Sequence, residues 1–334
     1  MPEVLSRVLN APAWPPSLAL LLAGWVCVVG GCGRHPKAAG EAPTPSLPPA
    51  ALLVEQQVSG AILGKTLRSP SALAVNDRGV LYLIDAGNKR VIWFDAHLTP
   101  VRDFSGEGGT FGRLSEPTYL TVDSDGTLWI TDSGRRALVQ CSDRLEYLGE
   151  IEPGDEQAPP GLGRPAGAAV TGFGEIWVAD ADNNRIVVLD ALGQVDHFVG
   201  DFGYAGGALR RPAKLLLVDQ DQIYVCDTDN RRIVVYDDRG SLVREIEHPA
   251  LENPVAIAID SHGRLWVLDQ SSGKVHCFNQ DGYYITTLGP ILLGSDRALA
   301  RPSDLAFTSD GRLVISDTGN DRLLVCQILA GAQP

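Results

Sequence analysis

The sequence predicts an all-β chain, a six-bladed β-propeller whose ring is closed by an N-terminal strand. Three observations carry that expectation. Pro70, Pro117, Pro165, Pro212, Pro254 and Pro302 recur at intervals of 47, 48, 47, 42 and 48 residues. An aspartate follows every one of them at an offset of fifteen: Asp85, Asp132, Asp180, Asp227, Asp269 and Asp317. Strand-like runs of β-branched and aromatic residues stand before those aspartates, and no segment sustains a 3.6-residue apolar period.

Within each unit the first strand follows the proline, as in Leu73-Ala74-Val75. A Gly-containing turn, such as Asp125-Gly126 or His262-Gly263, leads to the second strand, which ends at the aspartate. Tyr82, Trp129, Trp177, Tyr224, Trp266 and Val314 sit three residues before it, a repeated slot in which neighbouring units are expected to pack. A short loop gives a third strand, such as Arg185 to Asp190, and a fourth, such as Val195 to Val199, runs into a Gly-rich return. Four strands per unit, repeated six times, make the propeller. The last unit stops after Leu323-Leu324-Val325-Cys326, while Leu52 to Val58 is a strand with no unit of its own. Joining the two hides edges that an open array would expose.

The expected boundaries are 1–31, 32–50 and 51–330. The apolar run Ser17 to Gly31 is shorter than the roughly 20 residues a membrane span needs, so it reads as a signal peptide. Its end, Val29-Gly30-Gly31-Cys32, resembles the bacterial lipobox, which implies acylation of Cys32 and export to the cell envelope. A plain signal peptide or an uncleaved anchor is the alternative. Gly33 to Ala50 holds five prolines among small and polar residues and reads as an extended tether.

The units themselves resemble NHL repeats, whose pattern runs proline, strand, Asp-Gly, a strand ending in Asp, then Asn-x-Arg. Asp180-Ala181-Asp182-Asn183-Asn184-Arg185 carries the likeness, as do the loops from Asp85 to Arg90, Asp227 to Arg232 and Asp317 to Arg322. The second unit departs, with Arg135, Arg136 and Ala137, and the fifth has Ser272 and Lys274. Propellers with Tyr-Trp-Thr-Asp repeats are the runner-up, through Leu128-Trp129-Ile130-Thr131-Asp132; no Trp-Asp dipeptide occurs. The NHL resemblance implies the fold but spans ligases, RNA regulators, lyases and surface proteins, so function has to be argued from the site.

The chain has 28 Lys+Arg against 41 Asp+Glu, a net charge of −13, which argues against nucleic acid and against a basic face. No Cys-x-x-Cys pair exists, which excludes an evident zinc finger. The six aspartates, with Arg90, Arg185, Arg232 and Arg322 five positions on, are expected to pin loops, because catalysis is rarely six-fold. Gly60 to Thr66 misses a phosphate-binding loop by one residue and reads as a connection. His35, His97, His197, His262 and His276 lie in the spacer, turns or strands, leaving His248 alone in a loop before a proline. No cofactor is predicted, although a divalent metal in the central channel stays open.

Position two after each proline breaks the repeat with Tyr119, Lys214 and Asp304 on alternate units, either a channel-closing Lys–Asp pair or part of a ligand site. Phe202, Tyr204, Arg210 and Arg211 add aromatic and cationic groups in one return loop, the types found at binding hot spots. Replacing Tyr119 and Lys214 together is expected to leave the melting temperature nearly unchanged. The functional expectation is a monomeric, membrane-tethered binding module for a protein, peptide or glycan. A metal-dependent lyase or lactonase-like hydrolase is the alternative.

Overall fold

The computed structural model describes residues 48–106, 112–151, 162–203, 206–219, 221–291 and 298–331. The signal segment, the tether from Cys32 to residue 47, and Tyr204 lie outside the described residues, and Pro49 and Ala50, expected at the end of the tether, begin the closing strand. Five antiparallel four-stranded sheets follow one another in sequence order. Blade 1 is Pro70–Val75, Leu81–Asp85, Arg90–Phe94 and Pro100–Phe104. Blades 2 to 5 begin at Pro117, Pro165, Pro212 and Pro254 and repeat this order.

Blade 6 joins the ends of the chain. Asp304–Phe307, Leu313–Asp317 and Arg322–Ala330 are its inner strands, and Pro49–Ser59 pairs antiparallel with the last of them, Leu52 opposite Ile328 and Val58 opposite Leu323. A short parallel pairing of Pro290–Ile291 with Leu52 and Leu53 covers the outer edge. Leu52 is fully buried and Val54 nearly so, which makes the closing strand part of the core.

The apolar clusters lie between blades. Leu73, Leu83 and Phe94 of blade 1 pack on Val314 and Val325 of blade 6, and Trp266 and Leu268 of blade 5 pack on Leu52, Leu305 and Ile315. The repeated aromatic slot supplies the largest of these side chains, with Trp177 and Trp266 fully buried. A buried Trp usually finds a partner for its N–H, though Trp177 Nε1 has none among the described residues. Trp129 Nε1 donates to Asp123 at 2.8 Å and Trp266 Nε1 to Asp260 at 2.9 Å, each in the turn joining the blade's first two strands. Cys141, Cys226, Cys277 and Cys326 are buried free thiols; burial pushes Cys141, Cys277 and Cys326 up to about 12.

Candidate functional site

The fold puts two kinds of loop on one face: the returns that precede each proline, and the turns after each aspartate. All six aspartates are fully buried between them. Asp85 Oδ1 accepts Arg68 N at 2.9 Å, while Oδ2 accepts Asn88 Nδ2 and Arg90 Nε, both at 2.8 Å. Asp180, Asp227 and Asp317 repeat that seat with Arg185 at 3.2 Å, Arg232 at 2.9 Å and Arg322 at 2.7 Å. In the two units that depart from the pattern, backbone amides substitute. Asp132 accepts Ser115 N and Glu116 N, and Asp269 accepts Glu252 N, Asn253 N and Ser272 N. The aspartates are pins; their lone pairs are engaged.

A second stitch was not visible as a motif. The residue after the aspartate reaches the carbonyl of the next blade's proline: Ser133 to Pro165 at 3.0 Å, Thr228 to Pro254 at 2.9 Å, Gln270 to Pro302 at 3.0 Å and Thr318 to Pro70 at 2.7 Å. Ala86 and Ala181 hold that position in the other two blades. The signal was a hydroxyl or amide side chain in four of the six copies, once the copies are aligned on the aspartate.

Inside this face, a recess of about 170 Å³ opens on the channel, lined by Ser71, Thr118, Gln270 and Ser303, with Tyr119, Lys214 and Asp304. Lys214 Nζ donates to Asp304 Oδ1 at 2.6 Å across the channel and to Leu305 O at 3.1 Å. Asp304 also accepts Leu73 N and Leu305 N, at 2.7 and 2.8 Å. Tyr119 lies under the ammonium, its ring centroid 5.6 Å from Nζ. Burial pushes the Asp304 carboxyl above the ordinary carboxylate range despite Lys214 beside it. Below this group a cavity of about 330 Å³ continues between apolar inner-strand residues such as Val75, Leu217 and Phe307.

The three symmetry-breaking residues are therefore together, with exposures of 7, 7 and 2%. The expectation that Tyr119 and Lys214 can be replaced without thermal cost is corrected by this. Losing Lys214 strands a buried carboxylate. Phe202, in contrast, is 68% exposed, with the Arg210 guanidinium 5.6 Å from its ring centroid. Arg211 is exposed, donating to Asp229 at 2.8 Å and to Asn253 at 3.1 Å.

A metal, which the resemblance leaves open, needs donors that converge. Among the described residues no three of His, Cys, Asp and Glu gather in that way. His248 stacks on Tyr284 at 4.0 Å and His276 Nδ1 sits 2.7 Å from Thr287 Oγ1. The Asp304 carboxylate holds Lys214 and two amides. These donors do not fit a resident divalent ion.

Exposed cations and acids are interleaved on this face among the described residues. Arg68, Arg164, Arg211 and Arg301 are exposed beside the prolines, and Lys89, Arg136 and Arg231 at the fifth position of the aspartate turns. Glu116, Asp182, Asp201, Asp229, Glu247, Glu252 and Asp321 are exposed acids there among the described residues, and Glu116 and Asp229 pair with Arg164 and Arg211. At the other ends of the strands the hairpin turns are acidic for a local reason. Asp95, Asp123, Asp190, Asp237 and Asp260 each accept the amides two and four residues on, which fixes the turn.

The NHL repeat family matches residues 162–189 and 299–326. A probable peptidyl-alpha-hydroxyglycine alpha-amidating lyase of Caenorhabditis elegans is 34% identical over 90 residues, a quarter of this chain and a quarter of that protein. Among solved structures, a streptogramin B lyase superposes with a TM-score of 0.60 at 16% identity, covering 82% of this chain and 98% of that one. A gluconolactonase of Xanthomonas campestris gives 0.59 at 18% identity, covering 86% and 98%. At such identities the structures share the fold alone. With four strands per blade and terminal strands joined in one sheet, the chain is a six-bladed β-propeller, and it carries NHL repeats at 162–189 in blade 3 and 299–326 in blade 6.

Proposed function

We propose that this chain is an exported binding module, held at a membrane by acylated Cys32 and the Pro-rich 33–50 tether. It presents its proline-loop face to a protein, peptide or glycan partner. The observation that carries the reading is a recess on this face whose floor charges, Lys214 and Asp304, neutralise each other and whose walls carry hydroxyl and amide side chains. Tyr119, Lys214 and Asp304 shape the floor, while Phe202, Arg210 and Arg211 offer contacts at the rim. Variable loops on a rigid frame are where recognition is commonly built.

A metal-dependent lyase or lactonase is the second reading, favoured by the names that similar proteins carry. Native mass spectrometry of the purified chain separates the two. The binding reading expects an N-terminal acylated Cys32 and less than a tenth of an equivalent of zinc or calcium. One full equivalent of either metal overturns it in favour of the enzyme, and an unmodified mature start elsewhere removes the anchor.

A further inference from the structure

In blades 1 to 5 the fourth strand ends its sheet, and among the described residues no strand meets its outward N–H and C=O groups. Native sheets blunt such edges with charge, proline or a covering segment. Four of the five do so, with Arg102 and Asp103 in blade 1, Glu150 in blade 2, Asp196 in blade 3 and Glu245 in blade 4. Blade 6 carries Glu55 on its edge and has Pro290–Ile291 laid along Leu52 and Leu53. Blade 5 has none of these. Its edge strand Tyr284–Leu288 reads Tyr-Ile-Thr-Thr-Leu, and no charged residue occurs between positions 282 and 295. Tyr283 and Tyr284 stand exposed at its start, at 73 and 40%. An uncharged run of β-branched and aromatic residues without proline marks a strand prone to add to another. The other edges show that the propeller accepts charge at this place, so its absence from blade 5 is not a demand of the fold.

We propose that this edge is the interface of a two-fold dimer, each copy adding its blade 5 strand antiparallel to the other's, in place of the monomer expected from the sequence. The main-chain groups of the two edges then satisfy each other. A two-fold pairing is closed, so it uses up both uncharged edges and stops at two chains. Charge selects this edge over the rest. Pairing blade 2 or blade 4 with its own copy gathers the carboxylates of Glu150 or Glu245, whereas blade 5 brings together hydroxyls, aliphatic groups and rings. The edge is also organised in advance. Thr287 Oγ1 lies 2.7 Å from His276 Nδ1 and 2.8 Å from the Tyr284 hydroxyl, and the His248 ring stacks on Tyr284 at 4.0 Å. These contacts hold the Tyr284 ring beside the edge, so pairing loses little side-chain freedom there. The dimer does not depend on the ligand reading, since the edge lies on the circumference of the ring and not on the proline-loop face.

The test is the mass of the full-length chain in detergent, by size exclusion with light scattering at rising concentration. The unmodified sequence is expected to reach the mass of two chains. Tyr283 is exposed and a side chain added at Gly289 meets open space, so charge can be placed at both ends of the strand without disturbing the core. Y283K with G289K sets like charges on both copies and is expected to weaken the dimer at least about tenfold. Y283E with G289E is expected to do the same. Mixing the two double variants is expected to restore a mixed dimer, because opposite charges then meet across the edge. V101K, on the edge of blade 1, is expected to change nothing. A monomer at every concentration overturns the proposal and leaves the edge to a strand of another protein. A dimer that neither double variant weakens, the result expected of association through the apolar N-terminal run, overturns it as well.

Discussion

Lys214 and Asp304 face each other across the channel from blades 4 and 6 at 2.6 Å, nearly sealed from water. A buried pair of this kind is costly to break from one side, by about 3–5 kcal/mol, because the surviving charge has no partner. Lys214→Met is therefore expected to lose that much stability at neutral pH, read by chemical denaturation. Burial already holds the Asp304 carboxyl above its ordinary value, so the folded state takes up this proton more readily than the unfolded chain. For such a group, stability falls as pH rises from the unfolded value through the folded one. Removing Lys214 widens that window upward, so the loss is expected to shrink as the pH is lowered from 7 to 4 and the carboxyl takes up its proton. A loss of equal size at pH 4 and pH 7 contradicts the pairing. The sequence showed these three residues as breaks in a repeat, and the structure brings them together. It did not show their burial, because a residue two after the proline faces a channel whose width depends on all six blades.

At the scale of the element, the closing strand does most to make the ring one object. Pro49–Ser59 is bonded along the last strand of blade 6, and Leu52 and Val54 complete the core between blades 5 and 6. Leu52→Ala removes a fully buried side chain and is expected to cost about 2–5 kcal/mol. Deleting 51–60 is expected to lower the melting temperature of the whole domain in one cooperative transition, because it reopens an edge. A deletion that melts like the intact chain contradicts closure. This element was legible from a simple imbalance, a last unit one strand short and a first strand without a unit. The blade strands were equally legible, since proline and aspartate mark both ends of the inner pair. The stitch to the next proline was only partly legible, as a hydroxyl or amide after the aspartate in four of the six copies, because its acceptor is a backbone carbonyl that leaves no mark in the side-chain sequence.

Over the whole molecule, the repeat sets where much of the charge lies. Every tight hairpin turn asks for an Asx or hydroxyl residue, so the far ends of the blades gather Asp95, Asp123, Asp190, Asp237 and Asp260 regardless of function. The proline-loop face interleaves cations such as Arg68 and Arg301 with acids such as Asp182 and Glu252. The central claim, that ligand meets the proline-loop face, is tested most directly by hydrogen–deuterium exchange with and without a partner isolated by affinity capture on the purified chain. Protection is predicted in 60–69, 85–90 and 298–301, with the turns at 76–80 and 123–127 unchanged. Protection of those turns, with the proline loops exchanging as in the free chain, would place the ligand on the opposite face and contradict the account.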